Sequence, residues 1–487
     1  MRLAFEQKAL QYYEEVCVNK GLVRRASIGS QSLPMYVSEW IVSRHLSDGQ
    51  IDDTARQRMR QFVNRHLPSK DQKELLKSRL KNGETLLILD TYSVEVNLRS
   101  DEYTLKIPCL DENRATIGGY IVEKYPLLLG GGVWGVGRLE YQPPDEEERT
   151  PGQIHMVDFR PMQAATIDMD LFCEQRKYFT LEEWRDLLVS SMGYNPAFYS
   201  PEQLMHLIAR LLPVVQERVN LIELAPKGTG KSFVYLNLSR YIRLISGGKV
   251  TAAVLFHNNA TNQSGLLSRF DAVVFDEAQT LAFDNPNEVI GVLKDFLESG
   301  RYSRGGKQQN LATASVVMLA NIPLDADGSP RFNNLFLNLP EFLRETAFID
   351  RIHGILPGWK LHRVQEQTIS SSIGFKADFF GEVLHNLRHR AGYEDYIKAH
   401  GRIIGTDDVR DGNAITRLAA GYLKLLFPDL QPSPAELLEY CLRPAAALRQ
   451  MVRDQLVMMD PEYKRLSIDV ALVGDWSKEE KFIDYPR

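Results

Sequence analysis

The run NLIELAPKGTGKSFVYLNL, residues 220–238, constrains the fold of this chain more than any other stretch. An apolar strand over 221–224 enters a glycine-rich turn, and a helix follows Lys231. That order predicts a parallel sheet, because the helix has to carry the chain back before the next strand can pair. The turn approaches the pattern G-x-x-x-x-G-K-[ST], with Ala225 at the first glycine position. In such a loop, successive backbone N–H groups and a helix N-terminus converge on a β-phosphate. Gly228 and Gly230 allow the backbone to approach without a Cβ, Lys231 reaches the β/γ-phosphates, and Ser232 offers a hydroxyl to Mg²⁺. Pro226, Lys227, Gly228, Thr229, Gly230, Lys231 and Ser232 are thus the expected lining of a site for ATP and Mg²⁺. Ala225 only starts the turn, so alanine is compatible with this reading if its φ is negative.

Three further segments supply what such a loop needs. In DAVVFDEAQT a buried strand, 272–275, ends in Asp276 and Glu277, with Asp276 45 residues after Lys231. Asp276 is expected to hold Mg²⁺, and Glu277 to orient and activate the attacking water. ASVVMLANIP gives a neighbouring strand ending at Asn321, a candidate to sense the γ-phosphate. FIDRIHGILPGW supplies Arg351, expected to act on a neighbouring subunit's nucleotide, with Arg344 as its local competitor and a structural salt bridge as the alternative for either; Arg417 is a candidate second sensor from a lid. Between Glu277 and Asn321, ESGRYSRGGKQQNLATA places Arg301, Arg304 and Lys307 around Gly305 and Gly306. This reads as a basic hairpin tip suited to nucleic-acid phosphates.

The flanking regions read differently. Residues 1–83 are expected to be helical, and DDTARQRMRQFVNRHL carries Arg56, Arg58, Arg60 and Arg65, a solvated face or a DNA contact. Over 84–165, alternation at Val94, Val96 and Leu98 and at Tyr103, Leu105 and Ile107 predicts a small, barrel-like β-rich domain. GGGVWG (130–135) formally matches G-x-G-x-x-G, but a strand-like segment follows it instead of a helix, so a dinucleotide site is excluded. Thr180 and Glu183 predict a capping box, with Gly193 at the stop; Ser433, Pro434 and Glu436 open another helix. The α/β core is expected over 166–365 and a helical lid with C-terminal helices over 366–487. Net charge is −5, so any nucleic-acid signal is local. The four cysteines form no C-x-x-C pair, and no apolar run is long enough to span a membrane; a cytoplasmic protein with reduced thiols is expected.

The order of loop, acidic strand tip, basic hairpin, asparagine, arginine and helices resembles AAA+ ATPases, especially the branch that includes the MCM helicases. More narrowly, ELAPKGTGKS, LISGGKVTAAVLF, VVFDE, ESGRYSRG, ANIP and DRIHGILPGW resemble the ATPase core of the Lon-related BrxL family of BREX phage-defence systems. LPMYVSEWIV, LLLGGGVWGVGRLEY and FTLEEWRDLL extend the resemblance into the N-terminal part. It implies an α/β P-loop NTPase core and a homo-oligomeric ring, a hexamer or stacked double hexamer. It also implies DNA gripped in the centre, other BREX proteins as partners, and a role in phage defence. The family roles fall on Lys231, Ser232, Asp276, Glu277, Asn321 and Arg351. Two departures are Ala225 and the absence, before the sequence stops at Arg487, of room for a Lon-like domain with its Ser–Lys dyad; proteolysis is not expected.

Three functions compete on sequence: a DNA-binding ATP-driven motor or clamp, a protein unfoldase, and a nucleotide-switched scaffold with little turnover. The unfoldase needs an aromatic pore residue; Phe256 is the candidate, within an apolar run that reads as buried.

Overall fold

Strand alternation in the N-terminal third closes into a barrel. The protein is described here from a computed structural model covering residues 3–26, 33–45, 52–98, 101–130, 132–144, 151–162, 167–258, 263–303, 309–473 and 482–483. It divides into two units. One comprises residues 18–167 and 376–379, the other residues 1–17, 168–375 and 380–487.

In the first unit, β1 (Leu86–Asn97), β2 (Glu102–Ile107), β3 (Glu112–Ile117), β4 (Val133–Gln142) and β5 (Gln153–Pro161) form a closed barrel in the order β1-β2-β3-β5-β4. All pairs are antiparallel except β3 with β5. This order, with the helix Gly119–Lys124 between β3 and β4, is that of an OB-fold. Val94 faces Leu105 inside the barrel, but Val96 and Leu98 are exposed, because the β1–β2 hairpin runs on past the core. The GGGVWG segment opens β4, as the strand reading required. Its Gly135 serves packing: a Cβ there would lie 2.5 Å from the Phe159 ring.

Helices Lys20–Ala26, Met35–His45 and Asp53–His66 pack Ala26, Tyr36, Val37, Ile41, Ala55, Met59 and Val63 into a second core of this unit. Inside it Lys20 donates to Glu39 at 2.6 Å, and Glu39 also accepts from the Ala377 N–H. On Asp53–His66 the side chains of Arg58, Arg60 and Arg65 are exposed, while Arg56 pairs with Asp53.

The second unit is built on five parallel strands: β6 (Leu221–Ala225), β7 (Ile242–Ser246), β8 (Ala272–Asp276), β9 (Ser315–Asn321) and β10 (Gly354–Pro357), in the order β10-β6-β9-β8-β7. Four of the five are buried almost throughout and read as continuous apolar runs, as parallel strands covered on both faces do. The capping boxes form as read: Glu183 N–H donates to Thr180 Oγ1 at 3.2 Å, and Glu436 N–H to Ser433 Oγ at 3.3 Å.

Two expectations are corrected. The helix Ala4–Tyr13 does not stay with the other N-terminal helices. Tyr13 packs among Phe172, Trp184 and Phe375 of the second unit and donates to the Phe172 carbonyl at 2.9 Å. Residues 366–487 are not purely helical either: Gly401–Ile404 pairs antiparallel with Asp469–Leu472 and Phe482–Ile483. Nor do the C-terminal helices separate as a lid. A Cβ on Gly354, at the start of β10, would lie 2.8 Å from Leu448 and 3.5 Å from Leu418, so both helices rest directly on the sheet.

Candidate active site

Because the five strands are parallel, their C-terminal tips share one edge, and strand order decides which tips are neighbours. β9 lies between β6 and β8 and pairs Asn321 with Ala225, so Asn321 stands between the glycine loop and the acidic tip at Asp276. Lys231, at the start of the helix Lys231–Asn237, donates from Nζ to Asn321 Oδ1 at 2.6 Å. Its side chain is buried, and burial lowers its pKa against the opposing pull of Glu223, Asp276 and Glu277. It also donates to the Pro226 carbonyl at 3.5 Å, and no carboxylate pairs with it among the described residues; a desolvated ammonium held only by neutral carbonyl oxygens is well suited to a phosphate.

The loop geometry bears out the glycine argument. Gly228 (φ 85°) and Gly230 (φ 75°) are left-handed, and a Cβ on Gly230 would meet Tyr194 Oη at 2.7 Å. Ala225 ends β6 in extended conformation, outside the left-handed region, so the substitution at the first position costs the turn nothing. Its methyl is packed so closely that a Cβ on Gly358 would lie 2.6 Å from it. Pro226 and Thr229 are buried, and Lys227 and Gly228 exposed. The Thr229 hydroxyl is buried and finds no hydrogen-bond partner among the described residues. The Ser232 side chain likewise makes no hydrogen bond among them, which leaves its hydroxyl open to a cation.

At the neighbouring tip, Asp276 Oδ1 accepts from the Glu277 N–H at 2.9 Å. Glu277 is exposed and left-handed (φ 51°), a conformation that costs a non-glycine residue about 1–3 kcal/mol and clusters at working sites. Thr280 Oγ1 donates to the Glu277 carbonyl at 2.9 Å, and Gln279 Oε1 accepts from the Asn321 N–H at 3.1 Å. Gln279 therefore ties the asparagine strand to the acidic tip, a role sequence reading missed.

Also missed was a buried bracket beneath the loop. Arg210, fully buried, donates from Nε and Nη2 to both oxygens of Glu223 (3.0 and 2.6 Å), from Nη1 to Tyr194 Oη (2.7 Å) and from Nη2 to the Thr229 carbonyl (3.2 Å). Tyr194 Oη in turn donates to the Gly230 carbonyl at 3.0 Å. The Thr229 and Gly230 carbonyls are thus held from below. A signal was present: Glu223 sits inside the apolar strand LIELA, and a buried carboxylate requires a partner.

The remaining candidates lie at the other end of the sheet. Arg351 and Arg417 flank the start of β10, where Gly354 pairs with Leu221 and the His353 N–H donates to the Asn220 carbonyl at 2.8 Å. Arg351 Nε is 3.1 Å from Glu298, and Arg417 Nη1 is 3.2 Å from His353 Nε2. Both line a small cavity of about 40 Å³ with Glu298, Asp350, Arg410 and Arg449. The length of β6, roughly 13 Å at 3.3 Å per residue, separates this end from the glycine loop. Arg417 therefore does not join its own chain's loop as a lid sensor would; the helix carrying it, Val409–Leu426, packs at the strand starts. Arg344 is exposed on the short turn Glu341–Arg344.

Of the expected basic hairpin, the described residues show a short strand pair: Arg301–Tyr302 pairs antiparallel with Asn310–Leu311, with Tyr302 buried and Arg301 exposed. Arg304 and Lys307, expected at its tip, lie outside the described residues. Phe256 is fully buried.

The family model described as "Lon-like protease BrxL-like, ATPase domain" matches residues 154–469. The chain belongs to the BrxL family. A second family model, "BREX system Lon protease-like protein BrxL N-terminal", matches residues 11–141. Among curated proteins, the chain is 30% identical over 472 residues to "Lon-like protease BrxL" of Bacillus cereus (strain H3081.97), covering 96% of this chain and 69% of that protein. It is 28% identical over 478 residues to the protein of the same name from Escherichia coli O9:H4 (strain HS), covering 98% and 68%. The chain thus spans about two thirds of the length of these BrxL proteins. The glycine loop, the acidic tip, Asn321, Arg351 and Arg417 all fall within the matched BrxL ATPase domain.

Proposed function

We propose that this BrxL-family chain is an AAA+ ATPase subunit that hydrolyses ATP at the seam between protomers of a ring and grips DNA in BREX phage defence. The observation that carries this reading is the separation of parts within one chain. Lys231, Asp276, Glu277 and Asn321 share one end of the sheet, while Arg351 and Arg417 line a cavity at the other. Arginines so placed are out of reach of their own chain's triphosphate, so a catalytic role for them requires a neighbour's.

At the loop, the N–H groups of 227–231 and Lys231 bind the phosphates, and Ser232 and Asp276 are the residues that would hold Mg²⁺, which would supply charge neutralisation to the phosphates. The fit is supported by the open Ser232 hydroxyl, the buried and unpartnered Thr229 hydroxyl and the left-handed glycines. Binding the γ-phosphate draws Lys231 from Asn321, which frees that amide for the phosphate or the attacking water. Glu277 accepts a proton from that water. Arg351 of the adjoining subunit, helped by Arg417, meets the charge that develops on the transferred group.

DNA binding is supported by the exposed Arg301 on its hairpin, by the run around Arg304 and Lys307, and by the OB-type barrel, a fold that often binds oligonucleotides. A protein unfoldase is disfavoured because Phe256, its aromatic candidate, is buried. The deciding experiment compares ATP hydrolysis by the purified chain with and without DNA, and by Glu277→Gln. The expected result is DNA-stimulated turnover that the variant abolishes while still retaining Mg-ATP. A chain that stays monomeric and retains no ATP overturns the reading; turnover at background despite DNA favours the scaffold.

A further inference from the structure

A second group of ligating side chains lies away from the glycine loop, near the starts of the central strands. His385 and His389 stand four residues apart on the helix Ala377–His389 and so share one face. Asp271 directly precedes β8, and Glu217 lies four residues before β6. His385 Nδ1 is 2.7 Å from Asp271 Oδ2, and His389 Nδ1 is 3.3 Å from Glu217 Oε1. The ligating atoms of Asp271, His385 and His389 all lie within 4.8 Å of one another.

The surroundings hold this group in place. Asp271 is anchored through its backbone: its N–H donates to the Tyr241 carbonyl at 2.9 Å, and its carbonyl accepts from the Ser315 N–H at 2.8 Å. The Tyr241 ring stacks on His385, centroids 3.7 Å apart and planes 5° from parallel, and its hydroxyl donates to Glu382 at 2.9 Å. The imidazole plane is thereby fixed, as outer partners of metal-bound histidines commonly do.

We propose that Asp271, His385 and His389, with Glu217 as the fourth donor, bind a divalent transition metal of the zinc class. Two imidazoles and two carboxylates are a common donor set for such an ion, held tetrahedrally at about 2.0–2.2 Å. Donor atoms on that tetrahedron stand roughly 3.3 Å apart, so the His389–Glu217 spacing already matches, the Asp271–His385 contact opens by about half an ångström, and Glu217, which lies outside the 4.8 Å group of the other three, has to swing in with the ion. Imidazole favours transition metals over Mg²⁺ and Ca²⁺, so this site and the Mg²⁺ expected at the loop select different ions.

Arg388 is the opposing charge, its Nε 3.8 Å from Asp271 Oδ1. Its guanidinium is tied to the carbonyls of Pro213, Gln216 and Thr313, so it does not enter the coordination space. The two carboxylates balance the ion. A bound metal would staple this helix to the segments that start β6 and β8.

The test is a Co²⁺ titration of the chelator-stripped full chain, followed by its visible ligand-field spectrum. Expected is saturation at one Co²⁺ per chain with a tetrahedral spectrum, displaced by Zn²⁺ and unchanged in Lys231→Ala. His389 is half exposed, so His389→Ala leaves packing intact. It should weaken binding by more than the ~10–100-fold that loss of an outer partner costs, and Glu217→Gln should weaken it by less. Zn²⁺ should also raise the melting temperature of the parent and not of His389→Ala. A parent that gives no tetrahedral spectrum, or a spectrum and affinity unaltered in both His385→Ala and His389→Ala, overturns the proposal.

Discussion

The two ends of the central sheet use the same strands and treat charge in opposite ways. At the C-terminal end, Lys231 is held by two neutral oxygens, Asn321 Oδ1 and the Pro226 carbonyl, the Thr229 and Ser232 hydroxyls lack partners among the described residues, and Glu277 is exposed in a left-handed turn. At the N-terminal end every arginine around the cavity except Arg417 is already neutralised. Glu298 takes Arg351 at 3.1 Å and Arg410 at 3.0 Å, Asp350 takes Arg410 and Arg449, and Asp411 takes Arg449. One end is built to receive an anion from solution. The other keeps its cations on internal carboxylates, so in the proposed trans role a neighbour's triphosphate would have to compete with Glu298 for Arg351.

The sharpest way to break that contrast is at Arg351. Arg351→Ala is expected to cut ATP turnover by roughly 10³–10⁵-fold with little change in nucleotide affinity, because the group acts on developing charge. Arg344→Ala should stay near the parent rate. Single-turnover and binding assays separate the two effects, and equal losses of affinity and rate in Arg351→Ala would move that arginine out of the trans role.

Next in size is Glu277→Gln at the receiving end, expected to lower turnover by about 10²–10⁴-fold while bound ATP accumulates, as loss of a general base does.

The bracket under the loop comes third. Arg210→Met leaves Glu223 charged and unpaired in the core, which should cost about 3–5 kcal/mol in denaturant unfolding. Adding Glu223→Gln should recover most of it. If the double variant regains stability but not ATP affinity, the bracket serves to shape the loop.

The smallest effect is set by pH. His206 has a pKa pushed down to about 4, chiefly by burial, and its Nδ1 is buried without a partner among the described residues. Its unfolded form takes up a proton near pH 6.5, so stability should fall as pH drops from about 6.5 toward 4, by up to about 3 kcal/mol. His206→Gln should flatten that limb of the curve. An unchanged acid limb would mean the carboxylates alone set it.

What the sequence made legible follows from how far apart the interacting residues lie. The glycine loop, the acidic tip and the asparagine strand each declare themselves within about ten residues, through an apolar run and its polar end. The sheet that joins them is implied by strand–helix alternation. Arg210, Tyr194 and Gln279 act through partners 13 to 42 residues away, and no local period encodes that. The placement of the helix Ala4–Tyr13 depends on Phe172, Trp184 and Phe375, still more distant. The three-stranded sheet after residue 400 escaped because its strands have four residues or fewer, too short for alternation to show. The place of Arg417 at the strand starts was not legible because a helix periodicity tells which face is buried and not which end of the sheet it covers.

The account stands on an ATP site shared between protomers, and co-assembly of two inactive variants tests it most directly. Lys231→Ala subunits lack the phosphate cation but carry Arg351; Arg351→Ala subunits carry an intact loop. Each alone should be silent, and the mixture should regain a clear fraction of parental ATP turnover at seams where the intact halves meet. A mixture as silent as its components, in rings shown to contain both, would contradict the shared site.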